Sequence, residues 1–426
     1  MITTFEHDTE LKFSVLPPLF LPFFNRWGQN AYRWYAPFSF DPFTLRAEST
    51  SGSPVLLSDG AFWGFLKPVG GRFSYDGCGT LTVTCSAGQA LYYEENVNPY
   101  DAWQRYNRVV MPADDSPKQD FWRGLEYCTW VDQKHQAILE NKNSPWYALS
   151  EKFVYDYMRR VEKLGLPHGK LTIDDGWDVR FAPDNSLCYG NWDVDREKFP
   201  HMEQLVKDMA HEGFLPGLWF APFTMTPNCR LAQAHPELLG GPFAGSAESE
   251  SSRHLMFLRP DPILENYYTD VFEPYVAMGF KKFKMDMSYG PKNEMIELMR
   301  MMHRVIKRMD PTVEIEAHIS DIFAMPYCDT VRINDVAFDE AGAWRGVTME
   351  HYKVCLYSSA GKTLNLDHLG TNTPDPKEEE YLEHTKMLTS LSGGYPCVSL
   401  LPDRFGPRAE EVFREQILRW QKKQEE

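Results

Sequence analysis

From about residue 120 onward, short apolar runs alternate with longer segments of helical period, and this alternation restricts the fold more than any other feature of the chain. The runs are "LEYCTWV", "KLTIDDGW", "GLWFAPF", "FKKFKMDM", "VEIEAHIS", "TVRINDV", "TLNLDHLG" and "YPCVSLL". They offer eight strands separated by helix-length connections. Between the first and second runs, Phe153, Val154, Tyr157, Met158, Val161 and Leu164 fall on one face at 3.6-residue spacing. Between the fourth and fifth, Met295, Ile296, Met299, Met302, Val305 and Met309 do the same. Such methionines read as helix-to-barrel packing, not as cofactor ligands. A βα repeat of this count predicts a (β/α)8 TIM barrel, an α/β fold whose site is built at the carboxyl ends of the strands. Before residue 120, "TLRAEST", "AFWGFLKP", "RFSYDGCGTLTVTC" and "ALYYEEN" are β-leaning and separated by Gly, Pro and Ser clusters. The expected organisation is a smaller, β-rich, sandwich-like region over 1–119 followed by a catalytic barrel over 120–426.

Composition narrows the function. With 426 residues, 43% of them hydrophobic, the chain can bury a large core. A net charge of -16 disfavours nucleic acid or an anionic membrane as partner, since either would repel such a surface. No apolar run approaches the roughly 20 residues that span a bilayer. The stretch "MITTFEHDTELKF" carries acids where a secretory signal carries bases, which makes the cytoplasm the default expectation. Eight cysteines (78, 85, 128, 188, 229, 328, 355 and 397) include no C-x-x-C pair. Neither a zinc site nor a redox motif is readable, so the thiols are expected reduced and buried, and no metal or cofactor is called for. A small neutral or cationic ligand fits best, and the 14% aromatic content suits rings that stack on sugar faces. Oligomeric state is open, a homo-oligomer included.

In a barrel, function shows as polar residues just beyond the apolar runs. The run ends supply Trp130 and Asp132; Asp174, Asp175 and Trp177; Trp219; Lys284 and Asp286; Glu316 and His318; Arg332 and Asp335; Asp367 and His368. A lone strand-end aspartate is commonly a helix cap, but the same pattern on several strands makes a ring of acids with aromatics. In "FKKFKMDMSYG", Lys284 and Asp286 are two apart and share a face. In "DTVRINDV", Arg332 and Asp335 lie three apart at a strand end, which lets a loop bring guanidinium and carboxylate into the same cavity. Adjacent Asp174 and Asp175 reach one ligand only if the chain turns there, and Gly176 supplies that freedom. Paired carboxylates without a convincing metal set point to acid/base and nucleophilic chemistry at an acetal.

The motifs "YCTWVDQK", "LTIDDGW", "FKMDM", "EAHISD", "VRINDV" and "LSGGYPCVSLLPD" resemble the successive strand ends of the α-galactosidase and raffinose-synthase group, glycoside hydrolase family 36. The resemblance covers about residues 120 to 405, and "NWDVDREKFP" followed by "GLWFAPF" adds to it. It implies a small oligosaccharide or glycoside substrate and a retaining exo-α-galactosidase, with Asp286 as nucleophile and Asp335 as general acid/base. Lys284 and Arg332 would hold sugar hydroxyls, Lys284 would keep Asp286 ionised, and Asp174 with Asp175 would bind the hydroxyls far from the anomeric carbon. Trp130, Trp177, Trp219, His318 and Asp367 complete the implied sugar-binding set. Three positions depart from the pattern: Ala221 and Pro222 follow "GLWF" where bacterial members usually carry an acid, and Val336 stands where a second aspartate is common. Two other readings stay open beside hydrolysis: an α-galactosyl transglycosylase, and a catalytically silent carbohydrate-binding barrel.

Overall fold

Each of the eight apolar runs holds one strand, and the strands close into a parallel barrel. In the computed structural model they are β1 (Glu126–Cys128), β2 (Lys170–Ile173), β3 (Leu215–Phe220), β4 (Lys282–Met285), β5 (Glu314–Ala317), β6 (Thr330–Arg332), β7 (Thr363–His368) and β8 (Gly394–Val398). The structure describes all residues except 23–31, 36–41, 49–51, 112–117, 243–254, 289, 319, 334, 335, 337, 340, 371, 372, 374, 375, 401–403 and 426. Spatial order follows chain order, and β1 closes on β8 through the register Glu126↔Cys397 and Tyr127↔Val398.

The helices follow from the predicted periodicity. Helix Glu151–Lys163 is capped by Ser150, whose hydroxyl accepts from the Phe153 amide, and it buries Val154, Tyr157, Met158 and Val161. Helix Lys292–Met309 buries Met295, Met299, Met302 and Val305 against the barrel. In both, the apolar stripe lies toward the strands and the charged face toward solvent.

Ahead of the barrel, a six-stranded antiparallel sheet that includes Val55–Ser58, Ala61–Phe65 and Ala90–Glu95 packs on a four-stranded one that includes Gly71–Tyr75 and Thr80–Cys85. Leu56, Trp63 and Phe65 of the first interdigitate with Phe73, Leu81 and Val83 of the second, which is the sandwich expected from the β-leaning segments and their turn clusters. Helix Pro99–Val110 lies on the larger sheet and reaches the barrel. Its Trp103 stacks on Tyr357 at 5.6 Å, and Asn107 donates to the Tyr357 carbonyl at 2.5 Å. A small antiparallel sheet (Thr224–Met225, Leu239–Pro242, Met256–Leu258) intervenes between β3 and β4. Its strands are too short to show a period, and the sequence reading does not anticipate it. Among the described residues, no helix is long and apolar enough to cross a membrane.

Candidate active site

Alternate residues of the barrel strands point inward, and here they are polar. Lys170 of β2 spans the barrel to both Glu314 oxygens of β5 at 3.1 Å. Lys282 of β4 contacts Glu126 of β1, and also Glu316 of β5 at 2.5 Å. Asn365 of β7 donates to Glu126 and Glu316, both at 2.8 Å. All of these side chains are buried. Burial alone raises the Glu316 carboxyl, but Lys282, Arg332 and Lys284 outweigh it and hold the group at about 2. The outward residues of the same strands, Leu171, Ile173, Phe283, Met285 and Ile315, form the apolar core beneath the helices. One strand therefore feeds two chemistries, charge inside and packing outside.

Asp286 sits where this polar column opens at the mouth. Its amide continues the β3–β4 ladder to the Phe220 carbonyl at 2.8 Å, so its side chain follows Lys282 and Lys284 inward. Arg332 donates to Oδ1 at 3.2 Å, Trp219 donates through its indole N–H to Oδ2 at 3.1 Å, and His318 Nδ1 lies 3.4 Å from Oδ1. Met287 adopts a left-handed backbone, φ 52°, which turns its own amide back onto Asp286 Oδ1 at 2.7 Å. The Asp286 side chain remains 23% exposed, whereas that of Arg332 is 3% exposed. A carboxylate thus held by charged and neutral donors, yet open on one side, is placed to meet a ligand.

Arg332 contacts Asp286, while Lys284, expected to keep Asp286 ionised, is engaged by a different carboxylate. Lys284 bonds to Asp174 Oδ2 at 2.7 Å. Burial disfavours the Lys284 ammonium, but Asp174 overcomes that cost and its pKa is raised well above the ordinary value. Asp174 also accepts from the Cys128 thiol at 3.0 Å, and its Oδ1 accepts the Asp175 amide at 2.8 Å. Asp175 turns away to another set of partners. Trp146 donates to Oδ2 at 2.7 Å, and Arg180, which also bonds Asp178 at 2.6 Å, contacts Oδ1. Burial pushes the Asp175 carboxyl up to about 6, with Arg180 opposing. The turn that separates the two carboxylates is made by Gly176 at φ 110°, where an added Cβ would lie 2.8 Å from the Trp146 Cα.

Other expected residues take varied positions. Asp335 lies outside the described residues, as do Asn334 and Ala337 around it. Asp367 reaches the rim with φ 61° and lies 4.0 Å from Arg332. Trp130 is half-buried at the start of helix Trp130–Leu139. Trp177 departs from the sugar contact expected of it. Its ring is fully buried among Trp192, Phe220 and Tyr275, and its N–H donates to the Trp219 carbonyl at 2.8 Å, so it supports Trp219 from behind. Sequence reasoning missed the shell of Arg180, which lies over the rings of Trp146 at 4.8 Å and Tyr189 at 4.3 Å. The basic residue five positions after Asp175 was the only signal for it. Also missed was the convergence of Cys128, His368 and Cys397, whose ligand atoms lie within 4.8 Å of one another.

Comparisons with known proteins bear on the fold. The melibiase family model matches residues 120–273. Alpha-galactosidase 1 of Pediococcus pentosaceus is 23% identical over 158 residues, which are 37% of this chain and 21% of that protein. The aligned stretch thus spans about a fifth of the relative's length. The GH36 α-galactosidase AgaB of Geobacillus stearothermophilus superposes with a TM-score of 0.64 at 14% identity, covering 97% of this chain and 62% of that one. TtGalA, an α-galactosidase of Thermus thermophilus in complex with p-nitrophenyl α-D-galactopyranoside, gives 0.69 at 17% identity, covering 98% and 91%. The resemblance read from the strand-end motifs therefore stands: residues 120–273 match the melibiase family, and the chain is folded as the GH36 α-galactosidases are.

Proposed function

We propose that the chain is a retaining exo-α-galactosidase working through a covalent glycosyl-enzyme. The observation that carries this reading is Asp286, a partly open carboxylate at the end of β4 held by Arg332, Trp219 and the Met287 amide, with His318 Nδ1 3.4 Å away. An Asp286 oxygen attacks the anomeric carbon as the bond to the leaving oxygen breaks, and Asp335 gives that oxygen its proton. Water then attacks the glycosyl ester, returns a proton to Asp335 and releases the sugar with its configuration retained. Asp335 takes this role on the strength of its motif. Asp174, held by Lys284, accepts hydrogen bonds from hydroxyls far from the anomeric carbon, and Asp175 keeps the rim in shape through Arg180 and Trp146. The galactoside complex of TtGalA, a protein of the same fold, supports the substrate class.

The test is a panel of aryl α-glycosides with the product anomer followed by NMR. The α-galactoside should be cleaved best and α-galactose should appear first. Initial β-galactose would overturn retention. Silence across the whole panel would favour the sugar-binding barrel, the reading that Val336 supports.

A further inference from the structure

Cys128 ends β1, Cys397 lies in β8 and His368 ends β7, so three neighbouring strands each bring one metal-ligating side chain to the seam where the barrel closes. All three are buried, with exposures of 0%, 1% and 2%. Cys397 Sγ lies 3.6 Å from His368 Nδ1. That is the separation of two ligands around a tetrahedral ion with metal–sulfur and metal–nitrogen bonds of about 2.3 and 2.0–2.1 Å.

A disulfide is not the natural product of this pair. Cys397 is level with Glu126, two residues before Cys128, so the cysteines are diagonal neighbours. On parallel strands about 4.8 Å apart, an offset of two residues at about 3.3 Å each separates the Cα atoms by roughly 8 Å, and Cα atoms beyond about 7 Å are not bridged without backbone movement. An ion placed between the sulfurs spans that gap with the backbone unchanged.

Charge selects the kind of ion. Lys284 lies 3.6 Å from Cys128 Sγ as a donor, and it is already paired with Asp174. Two thiolates and a divalent cation add no net charge to that ion pair, whereas a monovalent cation would leave a buried negative charge. The lysine N–H beside the sulfur is the kind of outer hydrogen bond that steadies a metal-bound thiolate. Two sulfurs and an imidazole select soft or borderline ions over magnesium or calcium, which take oxygen ligands. Asp174 Oδ2, 3.0 Å from Cys128 Sγ, is within reach of the fourth position.

We propose that Cys128, His368 and Cys397 bind one zinc-class divalent cation, which ties β1, β7 and β8 together at the barrel seam. The test is titration of the purified, reduced, metal-free chain with Cd2+, reading the thiolate-to-cadmium ultraviolet band and the melting temperature. One Cd2+ should bind with a two-thiolate band and raise the melting temperature. Cys397→Ala and His368→Gln should each weaken binding at least about tenfold, while the Cys188→Ala/Cys229→Ala double variant keeps it. Should either seam variant fold poorly, 113Cd NMR of the unmodified chain gives the same answer, since sulfur and nitrogen ligation set the resonance. Absence of the band, binding unchanged in both seam variants, or loss of binding in the Cys188/Cys229 variant would each overturn the proposal.

Discussion

At Asp286 the Arg332 guanidinium meets the carboxylate, while Lys284 pairs with Asp174. Arg332 is buried and fixed, so the Asp286 carboxylate is oriented before any substrate arrives. Asp286→Asn keeps shape and most donors but removes the proposed nucleophile. It should lower turnover of p-nitrophenyl α-galactoside by at least about 10⁴-fold, the scale on which essential catalytic groups act, while thermal unfolding stays close to that of the parent. Full activity in this variant would remove Asp286 from the mechanism. On the proposed function, Asp174 acts on specificity. A carboxylate paired with Lys284 and aimed at an axial 4-hydroxyl loses that bond when glucose presents the hydroxyl equatorially. Hydrogen bonds to charged groups are worth about 1.5–3 kcal/mol, so Asp174→Asn should narrow the galactose-to-glucose ratio of kcat/KM by roughly ten- to a hundredfold. Matched nitrophenyl glycosides measure it, and an unchanged ratio would show that Asp174 reads a different group.

Elements impose their own constraints on these residues. Gly176 turns the chain after β2 with a backbone that a side chain rarely adopts, and the atom an added Cβ would meet belongs to the Trp146 main chain. Gly176→Ala therefore has no rotamer to escape into. It should cost about 1–3 kcal/mol from the left-handed backbone alone, seen as a lower melting temperature, and should raise KM as the Asp175–Trp146 contact shifts. Helix Glu378–Ser390 carries a different dependence. His384 is buried beside Phe338 and Trp344, accepts from the Gly370 amide at 3.2 Å, and is held at about 3 by burial, with Glu383 opposing. Between about pH 6.5 and 3 the unfolded chain binds this proton and the folded chain does not. Its contribution is complete above pH 6.5 and is lost progressively as pH falls to 3. His384→Gln, which keeps an acceptor for Gly370, should flatten that slope by about 1.4 kcal/mol per pH unit in denaturant titrations; an unaltered slope would mean that His384 is protonated in the fold. Much of this level was legible beforehand. Strands such as K-L-T-I-D and E-I-E-A-H declare both period and inward chemistry, and the methionine stripe declares its helix. Pairings were not legible. Whether Lys284 meets Asp174 or Asp286 depends on strand stagger around the barrel, and no spacing along the chain encodes it. Cys128, His368 and Cys397 meet only because the first strand closes on the last. The small sheet between β3 and β4 is too short to carry a pattern.

For the whole molecule, the barrel interior is a column of charge. Lys170, Lys282, Lys284 and Arg332 are set against Glu126, Glu314, Glu316 and Asp174, all of them buried. Such a column is stable only when complete, since breaking a buried pair leaves a charge without a partner. Lys282 touches both Glu126 and Glu316. Lys282→Met should cost about 3–5 kcal/mol, measured by chemical denaturation, and should disturb activity through Glu316 and Arg332; a change below 1 kcal/mol would show that the two glutamates find other partners. The closing pair of strands has a consequence in time as well as space. β1 leaves the ribosome long before Cys397 and Val398, the residues it must pair with, have been made. At about 5–20 residues per second that interval is on the order of tens of seconds, during which one edge of the nascent sheet has no neighbour. Synthesis of this chain should therefore lean on chaperones that shield strand edges, and slowing translation ahead of β8 should lengthen the interval and lower the soluble yield.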